Sequence, residues 1–157
     1  MKRGTLVRTA AAAAATAVAG AVATDPSSSW YRRLDKPRWQ PPGAVFGPVW
    51  TALYADIAVT SAVALDGARD ERERTALQRA LAVNLVLNGA WSWLFWRGRR
   101  PWLAAGEAAV LAVSSGDLVR RIARVRPAAG AALAPYAAWC AFATALSTEI
   151  ARRNPRA

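Results

Sequence analysis

Five long apolar stretches, separated by short charged segments, set the pattern of this chain. Charged residues are sparse within each stretch, whereas the arginines gather in short clusters between them. A helix of about 20 apolar residues is long enough to cross the hydrocarbon core of a bilayer. The pattern therefore predicts an all-α membrane protein, a single domain built as a bundle of five transmembrane helices, with spans at about 6–24, 44–65, 75–96, 102–119 and 128–150.

The first stretch has two interpretations. Three basic residues precede an alanine-rich run that ends in Ala21-Val22-Ala23, as in a secretory signal peptide with a small-residue cleavage site. The run is also close to the length of a retained transmembrane helix. Alanine inserts only weakly into membranes, so a retained first helix would depend on packing against the others.

A loop rich in tryptophan, proline and basic residues, at about 25–43, joins the first two stretches. The proline pair at its end suits the first turn of the helix that follows. In that helix Phe46, Trp50 and Tyr54 recur at i, i+4 and i+8, which places three aromatic rings on one face. Such a face serves either as an interfacial anchor of a membrane helix or as a wall of a ligand site.

The third and fifth stretches carry similar stripes. At i, i+4, i+7 and i+11 of the third stretch stand Asn84, Asn88, Trp91 and Phe95. Bare amides are costly against lipid, so this stripe should face the bundle interior. One face of the fifth stretch carries Tyr136, Trp139 and Ala143. If the three faces converge, they form a pocket suited to a large, flat, mostly apolar ligand; a solid aromatic core is the alternative.

Composition agrees with a membrane protein. The chain is 54% hydrophobic and 20% charged, and its mean hydropathy is only +0.10 because alanine supplies much of the apolar content. A net charge of +11 would suggest a nucleic-acid partner for a soluble protein, but arginine clusters between apolar stretches indicate anionic lipid headgroups instead. Lysine and arginine are shared almost evenly between the two sides of the spans, so the positive-inside rule does not orient the protein.

Common metal sites and catalytic sets have no counterpart in the sequence. There is no histidine, and the single cysteine, Cys140, allows neither a structural zinc site nor an intramolecular disulfide. There is also no Ser-His-Asp set, no pair of carboxylates and no phosphate loop, and thus no sign of a conventional enzyme. The roles of Asp56 and Glu107, two acidic residues within apolar stretches, stay open.

Three segments carry a recognisable family pattern: WYRRLDKPRWQPPGAVFGPVWTALY at 30–54, LAVNLVLNGAWSWLFW at 81–96 and PYAAWCAFATALS at 135–147. Together they resemble the tryptophan-rich sensory protein family, also called the translocator protein or peripheral-type benzodiazepine receptor (TspO/MBR) family. They span most of the chain in the family's order, which is more specific than any single motif. The resemblance implies that the first helix is retained.

The resemblance also implies a cavity that binds porphyrins, sterols and synthetic benzodiazepine-type ligands beneath the loop between the first two helices. By it, the lid contains Trp30, Tyr31, Trp39 and Pro42, and the cavity is lined by Trp50, Asn84, Asn88, Trp139 and Ala143. The basic lid residues would meet either porphyrin propionates or lipid headgroups. Without histidine, the expected ligand is protoporphyrin, or haem held without histidine ligation, and no cofactor is expected to be covalently bound.

The resemblance leaves the activity open between a tetrapyrrole sensor or carrier, linked to porphyrin and stress regulation, and a light- and oxygen-dependent enzyme that degrades porphyrin. Further alternatives are a sterol- or lipid-binding translocator and a structural membrane protein. No Lys or Arg follows Tyr136 within five residues, which lowers cholesterol as a ligand.

A ladder of small residues in the fourth stretch, at every fourth position, suits close helix contact either inside the bundle or at a homodimer seam: Ala104, Ala108, Ala112 and Gly116.

Overall fold

The computed structural model describes residues 1–156, and within them every regular element is helical. Six α-helices follow one another: α1 (Arg3–Ala23), α2 (Ser29–Arg33), α3 (Gly43–Gly67), α4 (Glu71–Ser92), α5 (Pro101–Val125) and α6 (Pro127–Arg153). A π-helical turn, Trp93–Arg97, continues α4. The all-α class predicted from the sequence is confirmed.

Four of the helices, α1, α3, α5 and α6, are long and apolar enough to cross a membrane. The remaining long helix, α4, is not among them, because it begins with the charged run Glu71-Arg72-Glu73-Arg74 and carries further polar residues along its length: Gln78, Arg79, Asn84 and Asn88. Length and composition thus support four of the five expected spans and do not confirm the third, which was expected at about 75–96.

The five long helices form a closed ring in the order α1, α3, α6, α5, α4, and α4 packs against α1 again. The most extensive contact joins α5 to α6. Close to their connection, a Cβ on Gly130 would lie 2.4 Å from the Cβ of Ala123. Since only glycine permits this approach, α5 and α6 pack almost backbone to backbone at this end of the ring.

The alanine-rich first helix is part of this ring. Hydroxyl groups on its inner face bind α3: Thr5 Oγ1 donates to Asp66 Oδ1 at 2.6 Å, and Thr9 Oγ1 donates to the carbonyl oxygen of Ala58 at 2.8 Å. The backbone N–H of Lys2 also donates to the Asp66 carboxylate. Packing and hydrogen bonds with α3 therefore hold α1 in place, as expected for a retained helix that inserts weakly alone.

Helix α5, which corresponds to the fourth predicted span, continues to Val125, six residues beyond the predicted end at about 119. Asp117 forms ion pairs with Arg120 and Arg121, three and four positions later, which favour helix through the basic segment. Only Arg126 then separates α5 from α6. The segment predicted as a loop at this point is therefore helical.

Two helix starts also differ from the predictions. The expectation that the proline pair would form the first turn of α3 is wrong, because Pro42 has an extended backbone (ψ 141°) and the helix begins at Gly43. In α4, the Asp70 side chain accepts a hydrogen bond from the Glu73 N–H at 2.7 Å. This N-cap starts the helix at Glu71, four residues before the predicted start at 75.

The small-residue ladder of α5 is divided between two environments. Ala104 and Ala108 are buried in the bundle, whereas Gly116 is exposed and has open space where a Cβ would stand. The ladder is therefore not one continuous internal contact.

Candidate ligand-binding cavity

A cavity of about 600 Å³ lies between the ring of helices and the loop that joins α1 to α3. Every α-helix contributes to its wall, and the loop contributes Gln40. Pockets for small molecules measure roughly 300–1,000 Å³, so this volume is of the size that holds one.

Most of the site residues predicted from the sequence line this cavity. They are supplied by α2, α3, α4 with its π-helical turn, and α6: Tyr31, Phe46, Trp50, Tyr54, Asn88, Trp91, Phe95, Trp139 and Ala143. The three predicted stripes therefore face one space. Four other predicted residues do not line it: Trp39, Pro42, Asn84 and Tyr136.

A chain of hydrogen bonds underlies one side of the cavity and explains the position of Asn84. Tyr54 Oη donates to Asn88 Oδ1 at 2.6 Å, and Asn88 Nδ2 donates to Tyr136 Oη at 3.0 Å. Tyr136 Oη then donates to Asn84 Oδ1 at 2.8 Å, and Asn84 Nδ2 donates to Ser115 Oγ at 3.0 Å. Asn84 and Tyr136 are completely buried behind the wall. The polar groups thus satisfy one another, as apolar surroundings require.

Aromatic rings form much of the wall and also pack on each other. Trp91 and Phe95 stack with ring centroids 5.1 Å apart and planes within 7°. Phe46 meets Trp139 edge to face at 5.9 Å. These mutual contacts are what a solid aromatic core would show, but here the rings surround an open space. Their packing on each other fixes the orientation of the rings around this space.

The loop between α1 and α3, residues 25–42, crosses the end of the ring and covers the cavity; we call it the lid. Trp30 packs edge to face against Phe95, with ring centroids 5.4 Å apart, and the ring centroids of Tyr31 and Trp96 are 4.5 Å apart. Trp39 is 49% exposed, and its ring packs edge to face against Phe142 with centroids 5.8 Å apart. Because Trp39 is exposed and does not line the cavity, it lies at the rim. Pro42 is exposed as well, since it stands just before α3.

A turn around Asp25 begins the lid. The carboxylate accepts hydrogen bonds from Ser27 Oγ at 2.7 Å and from the Ser27 N–H at 3.2 Å, and these hold the pKa of Asp25 below its usual value. Ser28 Oγ in turn accepts from the Tyr31 N–H at 3.3 Å and caps α2.

The far side of the lid is tied to the end of α6. The Asp35 N–H donates to Asn154 Oδ1, and Asn154 Nδ2 donates to the Asp35 carbonyl oxygen, both at 2.9 Å. Arg153 also lies 3.6 Å from the Asp35 carboxylate. No pattern in the sequence indicated this contact, because its partners are 119 positions apart.

Two further groups of lining residues were not predicted from the sequence. Gln40 donates from Nε2 to Tyr31 Oη at 3.1 Å, while its Oε1 is enclosed without a hydrogen-bond partner. The other group is a stripe of small residues at the end of α1, with i, i+3, i+4 and i+7 spacing: Ala17, Gly20, Ala21 and Thr24. That spacing was a signal for a helix face, but alanine and glycine carry no chemistry that marks a site.

Charged side chains stay outside the cavity wall. The lid residues expected to meet either propionates or headgroups do not line it: Arg32, Arg33, Lys36 and Arg38. The Lys36 ammonium instead lies 4.4 Å from the centre of the Tyr31 ring, a cation–π contact. Glu107 is also absent from the wall, and both its carboxyl oxygens are enclosed without hydrogen-bond partners. Within residues 1–156, no group of His, Cys, Asp and Glu is arranged to hold a metal ion.

Comparison with known proteins adds a second line of observation. A model of the TspO/MBR family matches residues 8–153. The tryptophan-rich protein TspO of Chlorobaculum tepidum is 32% identical over 138 residues, which cover 87% of each chain. The human translocator protein is 34% identical over 128 residues, covering 80% of this chain and 75% of the human protein. An uncharacterized membrane protein of Bacillus subtilis, YtaB, is 31% identical over 125 residues, 80% of each chain.

Proposed function

The chain belongs to the TspO/MBR family, as its three motifs predicted, and is an integral multi-pass membrane protein; from this premise we propose that it binds a porphyrin within the helix ring, as a sensor or carrier. The observation that carries the proposal is the enclosed aromatic cavity. Trp50, Trp91 and Trp139 offer broad faces to a flat ring system, and Tyr54 and Asn88 supply polar atoms at one side.

We expect metal-free protoporphyrin in preference to haem, because the sequence has no histidine to ligate iron. The cavity lining contains no charged side chain to pair with the propionates of either molecule. A bound macrocycle would therefore be held by stacking and by hydrogen bonds, with no covalent attachment.

We also infer that α4 crosses the membrane and so completes the five expected spans. It closes the ring between α1 and α5, and its polar residues Asn84 and Asn88 are turned inwards. On the outside Val83 and Val86 are 56% and 71% exposed, as expected of a face towards lipid. The charged first turn would then lie at the membrane surface among the headgroups.

A dark titration of the purified protein with protoporphyrin tests the binding proposal, with the absorbance of the porphyrin as readout. Trp139→Leu removes a ring from the wall, whereas Trp102→Leu removes an exposed ring on α5 that does not line the cavity. We expect saturable binding that Trp139→Leu weakens about tenfold, the loss of roughly 1.4 kcal/mol of stacking, and that Trp102→Leu leaves unchanged. Equal affinities in both variants would contradict binding in this cavity.

Light-dependent porphyrin breakdown is a second candidate function, favoured by the tryptophans of the wall. Trp50, Trp91, Trp96 and Trp139 all line the space in which a photosensitising ligand would sit. The test is to illuminate bound and free porphyrin in air: faster loss of absorbance for the bound form, with a new product, would support an enzyme. Equal rates would leave a sensor or carrier.

A further inference from the structure

The exposed part of the cavity lining lies on α1 and α3. Among the lining residues the exposed ones are confined to the end of α1, with its capping residue, and to the first turns of α3: Ala21, Thr24, Gly47 and Thr51. The lining residues from the lid, α4, α5 and α6 are buried or half-buried. The opening is therefore a slit in the side of the ring.

Small residues and the position of the hydrogen bonds account for the slit. The hydrogen bonds between α1 and α3 involve Thr5 and Thr9, which lie in the first two turns of α1, far from the cavity. At the other end of the pair, Gly47 has no side chain, and a Cβ built there would meet no atom within 4 Å. The two helices are thus joined at one end and leave free space at the other.

The lid closes the end of the ring but not its side. It leaves α1 at Asp25, crosses to the end of α6, where Asp35 and Asn154 exchange hydrogen bonds, and returns to α3. Its buried residues Trp30 and Leu34 pack into the bundle on the way. Nothing in this path covers the outer side of Gly47 or Thr51, which stay exposed.

With the start of α3 taken as the edge of the hydrocarbon core, the slit lies within the apolar part of one membrane leaflet. Thr51 lies eight residues after the start of α3 at Gly43, which corresponds to about 12 Å along a helix axis. Half of the hydrocarbon core of a bilayer is about 15 Å thick. A molecule dissolved among the acyl chains would meet the slit directly.

We propose that the slit between α1 and α3 is a membrane-facing portal through which the apolar ligand of the cavity enters and leaves sideways, with Gly47 and Thr51 at its edge. The proposal rests on the proposed binding of a flat apolar ligand. It specifies the form of ligand that is taken up: a molecule already partitioned into the bilayer, which for protoporphyrin is the form with its propionic acid groups protonated.

Exchange rates in lipid vesicles test the portal. The probe is protoporphyrin dimethyl ester dissolved in the bilayer of proteoliposomes, and binding is followed in the dark by quenching of tryptophan fluorescence. Gly47→Leu puts a branched side chain into open space at the edge, while Gly116→Leu makes the same change at an exposed glycine of α5, also in open space and away from the cavity. A third variant, Asn154→Ala, releases the lid from α6.

The portal predicts that Gly47→Leu slows both association and dissociation, each by at least about tenfold. Because Gly47 also lines the cavity, the two rates and not the equilibrium affinity are the test. Gly116→Leu and Asn154→Ala should exchange the ester at the wild-type rate. Wild-type rates in Gly47→Leu, with faster exchange in Asn154→Ala, would overturn the portal in favour of the lid. A weaker affinity with an unchanged association rate would overturn it too, because Gly47 would then be part of the cavity wall and not the edge of an entrance. If the wild-type protein shows no saturable binding at all, the ligand-binding function itself fails.

Discussion

The two ends of the helix ring use the same five helices and are packed in opposite ways. Where α5 turns into α6, aliphatic side chains such as Leu118, Ile122 and Leu133 are buried, and Gly130 brings α6 directly onto Ala123. Under the lid, aromatic rings and small residues surround a space of about 600 Å³. One end is filled and the other is hollow.

The difference follows from the shapes of the side chains. Branched aliphatic groups interdigitate and fill the space between helices, whereas flat rings that brace each other at fixed angles hold a wall open. The chain of hydrogen bonds through Asn88, Tyr136 and Asn84 lies at the boundary and links α3, α4, α5 and α6 there. Substitutions at the filled end should therefore change stability, and substitutions at the hollow end should change binding.

The largest effect is expected at the filled end. Gly130→Leu forces a side chain into Ala123 and should lower the free energy of unfolding by about 3 kcal/mol, the upper range for overpacking. Gly116→Leu, on the exposed face of α5, should leave stability unchanged or raise it slightly, because leucine is the better helix former. Unfolding in detergent measures both. Equal stabilities would show that this end is not tightly packed.

Two asparagines in the chain of hydrogen bonds between the two ends should differ in their effect on ligand binding but not in their effect on stability. Asn84→Leu removes the acceptor of the buried Tyr136 hydroxyl and a donor to Ser115 Oγ, and should cost about 1–2 kcal/mol of stability. Protoporphyrin affinity should stay unchanged, because Asn84 does not line the cavity.

Asn88→Leu should destabilise similarly and also weaken protoporphyrin binding by about fivefold, because it removes a polar group from the wall. Unfolding and equilibrium titration of the two variants give the comparison. An affinity loss in Asn84→Leu as large as in Asn88→Leu would mean that the chain of hydrogen bonds acts as a unit on the ligand.

The smallest effect concerns the lid and depends on pH. The folded-state pKa of Asp25 is lowered by the hydrogen bonds from Ser27, so its ionised form stabilises the turn above the usual pKa, and this contribution is lost as pH falls through the lowered value. We expect amide exchange in α2, corrected for intrinsic rates, to be faster at about pH 3 than at about pH 6. Asp25→Asn should abolish the difference, and the same pH dependence in that variant would exclude Asp25 as its source.

The sequence predicted the all-α class, the family and the aromatic stripes, since hydrophobic period and motifs are local features of the chain. It left open whether the stripes enclose a pocket or a solid aromatic core. Phe46, Trp50 and Tyr54 share a helix face whatever surrounds them, and the same holds for Asn88, Trp91 and Phe95. Helix ends set by single capping or ion-pair contacts, as at Asp70 and Asp117, were placed less accurately.

Spacing alone did not show how deep a residue lies within a stripe. Asn84 and Asn88 occupy the same face of α4 one turn apart, yet only Asn88 reaches the cavity. Asn84 lies one turn further from the lid and is buried in hydrogen bonds with Tyr136 and Ser115. The contact between Asp35 and Asn154 joins distant parts of the chain and depends on the fold as a whole. The slit likewise requires both α1 and α3 in place, so no single stretch of sequence marks it.

A cavity-filling pair on α6 tests the central claim, that the hollow end holds the ligand. Ala143→Phe projects a ring into the cavity, and Ala141→Phe places the same ring on an exposed position of the same helix. Titrated with protoporphyrin in the dark, Ala141→Phe should bind like the wild type, while Ala143→Phe should lose at least about tenfold in affinity with its fold intact. Wild-type affinity in a folded Ala143→Phe protein would contradict the account.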